Sequence, residues 1–223
     1  MQRWAVYYAP PADSALWQLG SQWLGRDAET GKHSPAPPGI DPLIWQQLVA
    51  KPRHYGLHAT LKPPFVLQPS RTPDELLDAV QRLASQTPAF LMPPLAIGML
   101  GDFLALRPTG PCAEINALAE RCVRDLDVFR HPLPRPTPAK ASAREKALNA
   151  RWGYPYVLDA FRFHLTLTDA IQVKQQPAVS AAIRDLLGPA LTGAPTPIQG
   201  IAVYHQAGRD QPFTLRTRFA LKT

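Results

Sequence analysis

The chain has 223 residues, of which 45% are hydrophobic and 18% charged. This composition predicts one globular domain, or two small lobes that share a core, and it excludes intrinsic disorder. The formal charge of +7 favours an anionic partner. Because the basic residues are scattered and form no Lys/Arg run, a small phosphate-bearing molecule is favoured over a polymer.

Cysteine usage and hydropathy indicate a cytoplasmic protein. Cys112 and Cys122 lie ten positions apart in a helical stretch, a separation of about 15 Å, which is too long for a disulfide. We therefore expect two reduced thiols. The N-terminus lacks the apolar core of a signal peptide, and no stretch approaches the roughly 20 apolar residues that span a bilayer, so no membrane partner is expected.

The first half of the chain is predicted to alternate between strands and helices. Pro10 and Pro11 end a strand that begins at Arg3, and Asp13 or Ser14 caps the helix that follows. The next predicted elements are a helix over 43–49, a strand in segment 56–65, a helix from Thr72 to Pro88, a hairpin of 90–99 and 103–107, and a helix over 112–127.

The second half repeats part of this order. A proline-rich basic segment at 131–140 is followed by a predicted helix over 141–152, a strand in 161–168, a helix over 178–187 and two strands at 198–205 and 213–221. A histidine strand, a helix and a hairpin thus occur twice, at about 56–108 and 161–221, with a basic insertion at about 130–151. This internal repeat predicts one bilobal α+β domain over 1–223, with two pseudo-twofold lobes, each an antiparallel sheet with flanking helices, and a cleft between them.

The two strands of the repeat carry the same motif, His-x-Thr-Leu, at His58-Ala59-Thr60-Leu61 and His164-Leu165-Thr166-Leu167. Residues two apart on a strand share a face, so each strand presents an imidazole beside a hydroxyl. Across a cleft, one imidazole can accept a proton from water while the other donates a proton to the leaving alkoxide. The two threonine hydroxyls can hold the phosphate oxygens. The pattern is suited to phosphodiester cleavage without a metal ion or cofactor.

These paired motifs resemble the 2H phosphoesterase superfamily. The flanking sequences are similar to an uncharacterised branch encoded beside phosphonate (C–P lyase) operons; they are RWAVYYAP from Arg3, YGLHATLKPPF from Tyr55, FLALRP from Phe103, WGYPY from Trp152 and FRFHLTLT from Phe161. The resemblance implies a bilobal α+β fold, His58 and His164 as the catalytic pair, and Thr60 and Thr166 as phosphate ligands. The operon association suggests a ribose 1,2-cyclic phosphate as substrate.

Four further residues are candidate substrate ligands. Lys62 continues the parity of His58 and Thr60, and Arg162 shares the parity of His164. Arg107 lies in a strand of the first hairpin. Alternation places one of Tyr7 and Tyr8 on the cleft side, and Tyr7 is our candidate.

The sequence therefore predicts a metal-independent phosphodiesterase for a small cyclic or linear phosphodiester. Two alternatives remain: a non-catalytic binder of RNA ends or of a phosphorylated metabolite, and a structural partner of a larger assembly. The basic segment is the feature that would serve RNA, either as a lid or as a solvated helix face; it carries Arg130, Arg135, Lys140, Arg144, Lys146 and Arg151. The oligomeric state and the assignment of base and acid are left open.

Overall fold

The computed structural model describes residues 1–133 and 136–223, so Arg135 of the basic segment lies outside the described residues. Seven α-helices are described there: α1 Ala15–Leu24, α2 Pro42–Leu48, α3 Ala50–Tyr55, α4 Pro73–Ser85, α5 Ala113–Asp125, α6 Ala143–Trp152 and α7 Gln176–Leu187. The described strands are β1 Arg3–Tyr8, β2 Ala59–Phe65, β3 Phe90–Met92, β4 Leu95–Leu100, β5 Phe103–Pro108, β6 Leu165–Thr166, β7 Thr196–Ile198, β8 Gly200–Gln206 and β9 Thr214–Ala220.

The strands form antiparallel sheets, and the helices pack around them, which confirms the predicted α+β class. One sheet has four strands in the order β2-β1-β8-β9, and another has three in the order β4-β5-β6. The histidine strand of the first half, β2, thus joins the hairpin of the second half. The histidine strand of the second half, β6, joins the hairpin of the first. The two halves are interleaved.

A two-stranded sheet of β3 and β7 links the same two halves again, with Phe90 opposite Ile198. Each of these short strands directly precedes the hairpin of its own half, so the order strand, helix, short strand, hairpin is shared by both halves. Most of the buried apolar side chains form a single cluster that runs through both sheets. The cleft lies between two sheets that share a core.

Local sequence explains most of the element boundaries. Ser14 caps α1, Asp41 caps α2 ahead of Pro42, and Thr72 forms a capping box with Glu75 at the start of α4. Pro93 and Pro94 fall between β3 and β4, since proline cannot donate to a strand ladder, and the predicted strand 90–99 is therefore two strands.

Two properties predicted from composition can be compared with the structure. Cys112 and Cys122 are both buried free thiols, as predicted. Among the described residues, no helix is long and apolar enough to cross a membrane.

Candidate active site

The two His-x-Thr motifs line one cleft. His58, Thr60, His164 and Thr166 all contribute to the wall of a single cavity of about 460 Å³. Burial alternates as predicted along both strands, because Leu57, Ala59 and Leu61 of the first motif are buried and the histidine and threonine between them are partly exposed. The interleaved sheets therefore bring the two pairs of side chains together.

Tertiary hydrogen bonds hold each motif from behind. The buried Tyr204 hydroxyl donates to the carbonyl of Leu57, next to His58, over 3.3 Å. The indole Nε1 of Trp23 donates to the carbonyl of Leu167, after Thr166, over 2.8 Å. β6 has only two residues, and backbone hydrogen bonds from Leu167 and Thr168 to the carbonyl of Leu104 extend its pairing with β5.

Both imidazoles are oriented in the same way. Nδ1 of His58 lies 2.8 Å from the carbonyl oxygen of Gly56, and Nδ1 of His164 lies 2.7 Å from that of Arg162. A carbonyl oxygen can only accept, so Nδ1 carries a proton in both rings. In the neutral ring, Nε2 is then the unprotonated nitrogen, and it is the one available to the cleft.

Burial lowers the pKa of both histidines. It lowers the pKa of His58 from 6.5 to about 4; the hydrogen bond to Gly56 opposes this, and the charge of His164 adds to it. The pKa of His164 is also lowered by burial, with a further contribution from Arg107. Both imidazoles are therefore neutral at pH 7 before an anion binds, since each charged form is disfavoured by desolvation.

Tyr7 lies on the cleft side of β1. Its ring centroid is 4.0 Å from that of His58, and the residue is fully buried in the cleft wall. The hydroxyl is buried and has no hydrogen-bond partner in the described part of the chain. A buried hydroxyl without a partner costs free energy, and Tyr7 is therefore a candidate for a role in the cleft.

The position predicted for Lys62 is wrong. Its side chain is 2% exposed and turns away from the cleft, where Nζ donates to the carbonyl of Val123 and lies 3.5 Å from Asp127. The pairing of β1 with β2 shifts on both sides of the Val6–Lys62 pair. Such a bulge adds a residue to one strand and resets the alternation, so parity counted from His58 fails at Lys62.

The two arginine candidates lie at the edge of the site. Arg107 is not among the residues that line the cleft, and its Nη1 donates to the carbonyl of Met99. We therefore correct the expectation that Arg107 contacts substrate; it influences the cleft by lowering the pKa of His164. Arg162 lines an adjoining cavity of about 490 Å³, together with Tyr154 and Tyr156, and this cavity also reaches Thr60 and His164.

Arg3 and Tyr55 also line the cleft, although the sequence marks neither of them as a site residue. Arg3 Nε donates to Oε1 of Gln206 over 2.6 Å, and Tyr55 stacks on Phe213 with centroids 5.1 Å apart. For Arg3, the sequence offers one signal: it is an arginine at the start of a strand that also carries an aromatic pair.

The basic segment is largely paired with carboxylates. Arg144 contacts Asp159 through two nitrogens, and Arg130 and Arg151 both contact Asp127. The described part of this segment therefore offers fewer free cations to an RNA strand than its sequence suggests. Within residues 1–133 and 136–223, no group of three or more His, Cys, Asp or Glu side chains is placed to hold a metal ion.

Comparison with known proteins gives a family. Residues 60–214 match the family described as protein of unknown function (DUF1045), and the chain belongs to that family. Two curated relatives are each 36% identical to 96% of this chain: the ribose 1,5-bisphosphate phosphokinases PhnN of Janthinobacterium sp. (strain Marseille) and of Laribacter hongkongensis (strain HLHK9). The match covers 49% and 50% of these two proteins, so the chain spans about half of their length.

Solved structures with some similarity include E. coli LigT complexed with 3'-AMP and TT0787 of Thermus thermophilus. LigT is 16% identical, with 100% of this chain and 99% of that chain covered and a TM-score of 0.45. TT0787 is 16% identical, with 99% and 98% covered and a TM-score of 0.48. At these levels of similarity the two structures assign neither activity nor substrate to this chain.

Proposed function

We propose that this chain is a metal-independent phosphodiesterase that opens a cyclic phosphate on a small, ribose-derived molecule. The observation that carries this proposal is the matched orientation of His58 and His164. Each ring donates Nδ1–H to the carbonyl two residues earlier and leaves Nε2 for the same cleft. Paired imidazoles of this kind supply both proton transfers of a phosphodiester hydrolysis.

The difference in environment between the two histidines supports the following assignment of roles. His58 has a pKa lowered to about 4, so it is neutral and accepts a proton from the attacking water. His164 takes up a proton when the substrate anion enters, because a nearby negative charge favours the imidazolium, and it then protonates the leaving oxygen. Thr60 and Thr166 donate to the non-bridging oxygens, and the Tyr7 hydroxyl, which has no partner among the described residues, is our candidate for a third donor.

The curated relatives suggest which cyclic phosphate to test. Hydrolysis of a ribose 1,2-cyclic phosphate at the bond between phosphorus and O2 leaves the phosphate on O1. The same reaction on the 5-phosphorylated sugar yields ribose 1,5-bisphosphate, the compound that gives those relatives their name. We propose a ribose 1,2-cyclic phosphate as the substrate on this basis.

The test is ³¹P NMR of the purified protein with ribose 1,2-cyclic phosphate and with 2′,3′-cyclic nucleotides. We expect His58→Ala and His164→Ala each to lower kcat about 10²–10⁴-fold, because each removes one proton-transfer group. The exposed His33 lies outside the cleft, so His33→Ala is the matched control and retains full activity.

Activity is expected to persist in EDTA, because the two imidazoles carry both proton transfers. Circular dichroism checks that each variant remains folded, and His58→Gln and His164→Gln serve if an alanine variant does not. Undiminished turnover in a folded His58 or His164 variant would reject the paired-histidine mechanism. Activity that disappears on chelation and returns with a divalent ion would also reject it.

A further inference from the structure

A small arginine-lined pocket opens beside the histidine cleft. Arg3, Arg130, Arg209 and His131 form its polar wall, and its volume of about 30 Å³ is room for about two water molecules. Arg3 also lines the cleft, so its side chain is a wall common to both cavities. The two cavities therefore approach each other at this arginine.

Positive charge around the arginine pocket exceeds the negative charge that balances it. Lys62, Arg130 and Arg151 share the single carboxylate of Asp127, at distances of 3.5, 2.7 and 3.1 Å. These groups are partly or wholly withdrawn from water, apart from Arg151. Three cations around one carboxylate repel one another more strongly than they would in solvent.

The two arginines nearest the opening add further uncompensated charge. Arg3 donates to the neutral amide of Gln206 and lies over the ring of Phe213. Arg209 is exposed and makes no ion pair within the described residues. Neither guanidinium is neutralised by a carboxylate of the described residues, so a bound anion would relieve the repulsion in the arginine pocket.

We propose that the arginine pocket binds a second, terminal phosphate group of the same substrate whose cyclic phosphate lies between His58 and His164. This rests on the function proposed above and narrows its substrate class to a sugar that carries both a cyclic phosphate and a phosphate monoester. Planar guanidinium groups match the oxygens of a phosphate in paired hydrogen bonds. Since Arg209 is exposed, its side chain can move outward to widen the pocket for the phosphate.

The test compares ribose 1,2-cyclic phosphate with its 5-phosphorylated counterpart, by kcat/KM from ³¹P NMR or coupled assay. We expect the wild type to prefer the 5-phosphorylated substrate by tenfold or more, through a lower KM, because a charge-assisted hydrogen bond to phosphate contributes about this factor. Arg209→Ala should lower the preference about tenfold, and Arg209→Lys should retain part of it, since lysine keeps the charge without the planar fork.

Arg184→Ala is the matched control, because Arg184 is an exposed arginine on α7 that lines neither the cleft nor the arginine pocket. This variant should keep the wild-type preference. Equal kcat/KM for the two sugars in the wild type would overturn the inference, as would an Arg209→Ala variant that keeps the full preference.

One competitor and one additional substrate separate the possible sources of the phosphate group. Inorganic phosphate should compete with the 5-phosphorylated sugar, and competition that is unchanged in Arg209→Ala would overturn the inference. A short RNA ending in a 2′,3′-cyclic phosphate should be a poorer substrate than the phosphorylated sugar, and a preference for the RNA would overturn the inference. In each of these failures the loss of activity in His58→Ala would still support the paired-histidine mechanism, so the two proposals fail separately.

Discussion

Tyr7 and Tyr204 are both fully buried, and they differ in how their hydroxyls are satisfied. The Tyr204 hydroxyl donates to Leu57, whereas the Tyr7 hydroxyl has no partner within the described residues. We expect Tyr7→Phe to leave the free energy of unfolding unchanged or to raise it by up to about 1 kcal/mol, because it removes an unsatisfied group. Tyr204→Phe should lower it by about 1 kcal/mol.

The Tyr7→Phe and Tyr204→Phe variants also distinguish a role of the Tyr7 hydroxyl in the cleft from a role in packing. Tyr7→Phe should lower kcat/KM about tenfold, since a neutral donor to the phosphate is lost. Urea unfolding and turnover of a cyclic phosphate measure the two effects. A Tyr7→Phe variant that loses as much stability as Tyr204→Phe and keeps full activity would show that the hydroxyl does not face the substrate.

The lowered pKa values of the histidines predict an acidic pH optimum. Productive free enzyme has neutral His58, whose pKa is about 4, and protonated His164, whose pKa lies below 6.5. The fraction in this state is largest between the two pKa values, so kcat/KM should peak below pH 6.5 and fall about tenfold per pH unit on the alkaline side. A 2′,3′-cyclic nucleotide is a suitable substrate, and kcat/KM that still rises between pH 7 and 8 would contradict the assignment.

At the scale of elements, a buried ion pair joins β2 to α5 and to the turn after it. Lys62 on β2 contacts the carbonyl of Val123 and the carboxylate of Asp127. Burial lowers the pKa of Lys62 to about 8, and Asp127 opposes this effect. On the side of β2 away from the cleft, Lys62 thus attaches the strand to α5, and Asp127 is the carboxylate that compensates its charge.

Substitution of Lys62 and substitution of Asp127 should change the free energy of unfolding by different amounts. Lys62→Met should change the free energy of unfolding by less than about 1.5 kcal/mol, because Asp127 keeps Arg130 and Arg151 as partners. Asp127→Asn should lower it by about 3 kcal/mol, because it leaves a buried ammonium without a counter-charge. Urea denaturation at pH 7 measures both; a larger loss for Lys62→Met than for Asp127→Asn would show that the lysine, and not the balance of charge, stabilises this contact.

Elements with strong local signals could be predicted from the sequence, and those set by tertiary pairing could not. Ser14, Asp41 and Thr72 identify three helix starts, because capping depends on neighbours in the chain. The short helix α3 was missed, since it follows α2 after a single residue, Val49, and has no side-chain cap. Lys62 was misplaced for a different reason, because a bulge forms between strands and leaves no local mark.

At the scale of the whole molecule, the sequence repeat indicated two lobes and a shared cleft, but not the exchange of strands between them. His58 and His164 could be paired from their motif, because the chemistry of a cleft needs both. The interleaved sheets could not be predicted, since β-strand partners distant in sequence are chosen by packing. The same limit explains Arg3, whose place in the cleft follows from the pairing of β1 with β8.

The exchange of strands also sets an order of events during synthesis. β1, which β2 adjoins, must pair with β8, about 200 residues later in the sequence. Contacts this far apart form slowly, and they cannot form before β8 leaves the ribosome. The first histidine therefore reaches its final surroundings only after the residues through β8 have been made, and a nascent chain that stops before residue 200 carries the motif without the pocket.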